Sequence, residues 1–303
     1  MKNSGAFSPE ILIFGDYLRK NELASYCTKF CSYSDDFVSS IEKHIDRKTY
    51  KFLIFDLHPK LIVKELPNFF IRLKQENIFL IGIDGLISYR NLMDIIWIPS
   101  FNFNSRKYSD CECIVRSGWD SFLLQKRLKH KSWKPGKEVL VLTGGSDAYK
   151  LGEKLPSYLN NKLPKETRIT WVKGPFAPVP LFDEVDKLSW LIIDSPENLD
   201  SLIVKSNYVL TVFGVSFFEV IQYGIPTVVF SPNVKKDNND LIALSKENVA
   251  LVAKDEKCAI NQLKLLMRNK THAKSISDTS LDKMKVNGAK KLTSEMQSLI
   301  EAT

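Results

Sequence analysis

Residues 138–147 read Glu138-Val139-Leu140-Val141-Leu142-Thr143-Gly144-Gly145-Ser146-Asp147. An apolar run of strand length meets two glycines and two small polar residues, and a helix-compatible segment, Ala148 to Leu159, follows. Strand, turn and helix in this order predict one unit of a parallel α/β layer. Glycine lets a backbone approach a ligand closely, and Ser146 and Asp147 can cap the helix and leave its free N–H groups facing a phosphate. An Asp147 carboxylate repels a phosphate unless it serves only as the cap. The loop is neither a P-loop nor a GxGxxG turn, so a plain turn ahead of a helix is an equally good reading.

Downstream the same rhythm repeats. Strands are predicted over Arg168 to Lys173, Leu188 to Ile193, Tyr208 to Val212, Thr227 to Phe230 and Ala250 to Val252. Helices are predicted over Asn198 to Lys205, Ser216 to Gln222, Asn239 to Glu247, Ala259 to Met267 and Asp282 to Leu299. Strands buried on both faces read as continuous apolar runs, and the segments between them supply crossover helices. The terminal helix carries Leu292, Met296 and Leu299 on one stripe, which predicts docking by one face, with the other domain as one surface it can reach.

Upstream, strands are predicted over Ile11 to Phe14, Lys51 to Phe55, Ile78 to Ile83, Ile95 to Ile98 and Glu112 to Val115, with helices over Asp35 to Arg47 and Leu61 to Gln75. Pro67 is expected to kink or split the second helix. The polar stretch Ser132-Trp133-Lys134-Pro135-Gly136-Lys137 separates the two alternating halves, and the domain boundary is placed there: 1–133 and 134–303.

A chain of 303 residues with 44% hydrophobic content builds real cores, which sets aside disorder and a disulfide-stapled miniature. Its net charge of +8 favours acidic partners in general. The 5 cysteines form no CxxC pair and fit a reducing compartment. The opening residues have no apolar core of signal-peptide length, and no stretch approaches the roughly 20 apolar residues of a membrane helix. A cytoplasmic protein is expected.

A second glycine turn lies at Val212-Phe213-Gly214-Val215-Ser216-Phe217-Phe218-Glu219, followed by Tyr223-Gly224-Ile225-Pro226-Thr227. Ser216 and Glu219 have capping-box spacing; the alternative is that Glu219 accepts bonds from ribose hydroxyls beside a diphosphate. The order of the Gly144-Gly145-Ser146-Asp147 turn, Lys173-Gly174-Pro175, this Gly-x-Ser turn and the Gly-Ile-Pro-Thr return resembles the C-terminal half of GT-B sugar-nucleotide enzymes. Within them it is most similar to PseG-type UDP-sugar hydrolases of pseudaminic acid biosynthesis and their SpsG-like relatives, with MurG-type transferases more distant. Val115-Arg116-Ser117-Gly118-Trp119 and Asn238-Asn239-Asp240 agree with the pattern, and the likeness covers roughly Val139 to Val252.

The resemblance implies an α/β GT-B architecture, two Rossmann-like domains facing across a cleft. It implies that Gly144, Gly145 and Ser146 lie at the diphosphate, that Gly214, Val215 and Ser216 also contact it, and that Glu219 accepts from the ribose. It places uracil near Val172 to Phe176, including Gly174, and Asn239 on the sugar side.

The first strand departs from that pattern. The family has a histidine base in a glycine-rich loop there, whereas Ile11-Leu12-Ile13-Phe14-Gly15-Asp16-Tyr17 has one glycine and no histidine. Asp16, Asp56, His58 and Asp84 are the candidate catalytic groups. Asp56, His58 and Asp84 follow strands, so each points to the ligand edge of a sheet or simply closes a turn. An Asp near pKa 4 is a weak base at neutral pH. His44, His130 and His272 lie in Lys-rich surroundings and read as surface residues, and no Cys and His set has zinc-site spacing.

Lys126, Arg127, Lys129, His130, Lys131, Lys134 and Lys137 form a dense basic run between Trp119 and Trp133 or just beyond it. A solvated linker is the plain reading; steering of a nucleotide-sugar or contact with anionic lipid headgroups are the functional ones. The expected activity is hydrolysis or transfer of the sugar of a UDP-sugar in surface-glycan biosynthesis of the nonulosonic acid type. The alternative is a nucleotide-sugar-binding partner of another enzyme. No cofactor or metal is required, because backbone donors can stabilise a leaving diphosphate. Expected partners are a nucleotide-sugar, a glycan or lipid-linked acceptor and a peripheral membrane contact, with no nucleic acid.

Overall fold

The computed structural model describes residues 9–15, 26–32, 36–44, 50–57, 62–182 and 187–302. The chain divides into two compact units, Met1–Leu123 with Asn287–Thr303, and Leu124–Val286. The stretch read as the boundary, with its Pro135-Gly136 pair, lies inside the second unit.

In the first unit, β1 (Glu10–Phe14) pairs in parallel with β2 (Cys27–Cys31). Helix α1 (Phe37–His44) leads to β3 (Phe52–Asp56), α2 (Leu66–Gln75), β4 (Phe79–Ile83), β5 (Ile95–Trp97) and β6 (Ile114–Arg116). The last four strands form one parallel sheet in chain order. Strand β4 is buried through its centre and β5 throughout, so each is an unbroken apolar run. One face is covered by Phe69, Phe70 and Leu73 of α2. Pro67 neither kinks nor splits α2: it stands in the first turn, where no i−4 partner is lost, and the helix begins only at Leu66.

The second unit runs β7 (Glu138–Leu142), α3 (Leu151–Lys162), β8 (Arg168–Lys173), β9 (Ser189–Asp194), α4 (Asp200–Ile203), β10 (Tyr208–Val212), α5 (Val215–Ile221), β11 (Thr227–Phe230), α6 (Val234–Leu244), β12 (Leu251–Ala253), α7 (Glu256–Arg268) and α8 (Lys270–Lys283). Its six-stranded parallel sheet has the order β12-β11-β10-β7-β8-β9. Alternate residues of β7 serve opposite faces. Val139 and Val141 meet Leu263 and Leu266 of α7, while Leu140 and Leu142 join Ile203 of α4 and Val220 of α5. Burial on both faces explains the continuous apolar runs from which these strands were predicted.

The single predicted terminal helix over Asp282 to Leu299 is instead the end of α8, a break at 284–287, and α9 (Gly288–Glu301). Asn287 caps α9 by accepting from the Lys290 N–H. Leu292 and Met296 lie against Ile81, Ile95 and Trp97, so α9 covers the first unit's sheet after the chain has completed the second unit. Arg116 and Glu295 pair at 2.7 Å beside this contact. Among the described residues, no helix is long and apolar enough to cross a membrane.

Candidate functional site

Strand β7 opens its unit and sits in mid-sheet. From it the chain moves to β8 on one side and later to β10 on the other, so the loops leaving β7 and β10 diverge and open a crevice at the carboxyl edge. The two glycine turns are the loops that leave these strands. Gly144 adopts φ 90°, a conformation open to glycine, and a Cβ there would sit 3.8 Å from the Val212 side chain of β10. The turn after β8 braces it: Phe176 N–H donates to Gly145 O at 3.0 Å, and any Cβ on Gly174 would collide with the Gly144 and Gly145 carbonyl oxygens. A Cβ on Gly145 or on Gly214 would meet no atom within 4 Å. Both glycine backbones therefore border open space. Phe176, 65% exposed, stands at the edge of the same crevice.

The expectation that α3 offers free N–H groups to a phosphate is corrected. The helix starts at Leu151, three residues later than predicted, because the chain makes a further turn with Asp147 at φ 45° and Lys150 at φ 54°. Buried Asp147 takes the Leu151 and Gly152 N–H groups at 2.8 and 2.7 Å. Those donors are spent on a carboxylate cap. Ser146, exposed, is not the cap.

After β10, Gly214, Val215 and Ser216 lead into α5. The capping box is corrected: α5 begins at Val215 with Gly214 at its N-cap and no side-chain cap bond, so Ser216 lies inside the first turn. Its side chain bonds the Glu219 carboxyl instead, which is held above the usual range by burial and by nearby Asp200, against the pull of that bond and of Arg127. Asp200 is buried, accepts the Arg127 N–H at 3.0 Å and takes a bond from the Tyr223 hydroxyl, which in turn accepts the Leu128 N–H at 3.3 Å. Burial pushes Tyr223 up to about 12. Lys126 lies 5.2 Å over the Tyr223 ring and donates to Gln222 O at 2.8 Å. Sequence reasoning missed this cluster. Its one local signal was Tyr223 beside the Gly-Ile-Pro turn.

Asn239 does not open a helix. α6 starts at Val234 because the Ser231 hydroxyl bonds Asp237 at 2.5 Å and accepts the Asn233 N–H at 3.0 Å, which fixes the entry earlier. Asn239 is exposed in the helix's second turn.

In the first unit, Asp56 ends β3, and Asp84, at φ 63°, follows β4, whose last residue, Ile83, is the register partner of Asp56. The two carboxylates are thus neighbours at one carboxyl edge. Partial burial and the charge of Asp84 raise the Asp56 carboxyl above the usual range. Asp16 and His58 lie outside the described residues. No group of three or more metal-ligating side chains occurs among the described residues. Cys111 Sγ donates to Tyr108 O at 2.9 Å, and burial raises Cys113 to about 12, so the Cys113 thiol offers no reactive thiolate.

No protein-family model and no curated protein matches the chain in sequence. Solved structures do match over its full length. A Listeria monocytogenes protein provisionally assigned as a UDP-N-acetylglucosamine 2-epimerase superposes with TM-score 0.60 at 9% identity, covering 97% of each chain. Acinetobacter baumannii MurG superposes at 0.55 and 13% identity, over 96% of this chain and 100% of its own. The UDP-GlcNAc 2-epimerase of Neisseria meningitidis, solved with UDP-GlcNAc bound, gives 0.55 and 12%, over 95% and 99%. The chain has the two-domain GT-B α/β fold. At these identities the likeness is one of fold.

Proposed function

We propose that the chain binds a UDP-sugar in the β7/β10 crevice and acts at the sugar's anomeric carbon. One observation carries this reading: the two glycine turns, Gly144-Gly145-Ser146 and Gly214-Val215-Ser216, stand on adjacent strands at the point where the strand order reverses, with open space over Gly145 and Gly214. Backbone N–H groups there can hold a diphosphate without a side-chain cation and stabilise it as it leaves. Glu219 accepts from the ribose hydroxyls, the Gly174 turn with Phe176 borders the base, and Asn239 closes the sugar side. Asp56, its pKa raised, is the proposed proton acceptor for the attacking water or hydroxyl.

The likeness to PseG and SpsG enzymes in the glycine turns makes a surface glycan of the nonulosonic acid type the proposed outlet. Because two of the full-length fold relatives carry epimerase names, the assay identifies the sugar product as well as the nucleotide. UDP-, GDP- and CMP-sugars are incubated with the chain, with and without lipid or glycan acceptors. The reading expects UDP release from a UDP-sugar. Binding without turnover on the whole panel would favour a nucleotide-sugar-binding partner, the reading supported by the lack of a histidine in the first-strand loop. Neither binding nor turnover would refute both.

A further inference from the structure

The segment 124–137 follows no helix or strand beyond a short turn, yet it is held in place. Arg127 and Leu128 are tied by their N–H groups to Asp200 and Tyr223. Trp133 is buried in the core of the second unit, edge-on to Tyr208, and donates to Asn207 O at 2.7 Å. Lys134 O accepts from the Asn207 amide at 3.0 Å. No acidic residue occurs between Asp120 and Glu138. Lys129, Lys131, Lys134 and Lys137 are exposed, and none of them pairs with a carboxylate among the described residues. Beside Lys131 and Lys134, a depression of about 470 Å³ is lined by these two, Ser132 and Lys205 on its polar side and by apolar Val204 and Ile225 among others.

We infer that this strap is a peripheral docking surface for an anionic lipid bilayer. Three features select a bilayer over a nucleic acid. The cations are mainly lysines, point charges suited to a diffuse anionic surface rather than the paired contacts through which arginine grips single phosphates. The strap's aromatic ring, Trp133, is buried and cannot stack on a base. Leu128, 37% exposed between Arg127 and Lys129, offers an apolar side chain that a lipid interface accepts and an aqueous polyanion does not. Lys131, Lys134 and Lys205 around the depression, with the Ser132 hydroxyl beside them, suit the phosphate of one headgroup.

The test is co-sedimentation with vesicles of phosphatidylcholine alone and of phosphatidylcholine mixed with phosphatidylglycerol, at low and high salt. The full chain should partition onto the phosphatidylglycerol vesicles only, and high salt should release it. A Lys129→Gln/Lys131→Gln/Lys134→Gln variant should lose about 100-fold in partition while its thermal melt is unchanged. Leu128→Gln should weaken vesicle binding without altering retention on heparin. Equal partition onto both vesicle types, or partition that the triple substitution leaves intact, overturns the inference. So does Leu128→Gln binding vesicles like wild type while wild type binds single-stranded DNA as tightly at the same salt, the behaviour of a nucleic-acid surface.

Discussion

The Glu219 carboxyl shares a half-buried corner with Asp200 and carries a side-chain bond from Ser216. Its folded pKa is raised, so its contribution to stability is complete below the unfolded value and is lost as pH rises through the folded one. Glu219→Gln removes that loss. The variant should therefore melt above wild type at pH 8 and close to it at pH 4. Calorimetry at pH 8 should show UDP-sugar binding weakened by about 1–3 kcal/mol, as a charge-assisted bond to ribose is degraded. A higher melt with unchanged affinity would confine Glu219 to its bond with Ser216. The Asp56 and Asp84 pair gives a second residue-level prediction. Asp56→Asn should lower turnover about 100-fold or more and leave UDP affinity as it was, since the proposed nucleotide contacts lie in the other unit. Asp84→Asn removes a charge that raises the Asp56 pKa, so the acid limb of the pH–rate profile should move to lower pH. An unmoved limb would mean that Asp56 is not the group titrating. The glycine turns were legible in the sequence because glycines directly after a strand-length apolar run mark a turn at that strand's carboxyl end, although the run does not tell a ligand turn from a plain one. The Asp200, Tyr223 and Lys126 cluster was not, because its members are far apart in sequence and no spacing links them.

Among elements, β8, β10 and β11 match their sequence-predicted limits, since a run such as Thr227 to Phe230 is apolar on both faces and stops at a proline on one side. Strand β2, Cys27-Thr28-Lys29-Phe30-Cys31, is mostly exposed or half-exposed and carries no such run, and it went unread. Helix α8 was also missed, because its buried face is Ala273, Ile276, Ser277 and Ser280, and the serine Ser280 is satisfied only by Ile276 O and Val249 O. Helix starts shifted wherever a side chain took the first free N–H groups. In α3 this goes with an internal proline: Pro156 cannot donate to Gly152 O, and Leu181 N–H fills that acceptor at 2.9 Å. With two of its first-turn N–H groups held by one carboxylate, α3 depends on Asp147. Asp147→Ala should cost about 1–2 kcal/mol in a urea unfolding curve at neutral pH. Unaltered stability would show that the bonds of Asp147 to Leu151 and Gly152 contribute nothing net.

On the scale of the whole molecule, the chain enters the first unit twice, and its last helix completes a sheet begun more than 200 residues earlier. The stripe of Leu292, Met296 and Leu299 was visible in the sequence. The surface it meets was not, because Ile81, Ile95 and Trp97 read only as strand interior. Leu292→Ala should cost about 2–4 kcal/mol and do so in the first unit, read as a lower urea midpoint for the transition that exposes Trp97. A midpoint equal to wild type would mean that α9 does not stabilise the sheet it covers. Catalysis and membrane docking each have their own tests, and both can fail while the nucleotide site stands. The proposed nucleotide site is the crevice where β7 and β10 diverge. A crystal structure of the full chain soaked with UDP tests it most directly. The diphosphate is expected against Gly145, Ser146 and Gly214 to Ser216, with the ribose within hydrogen-bond reach of Glu219. UDP bound elsewhere, or a crevice left empty at a saturating concentration, would contradict it.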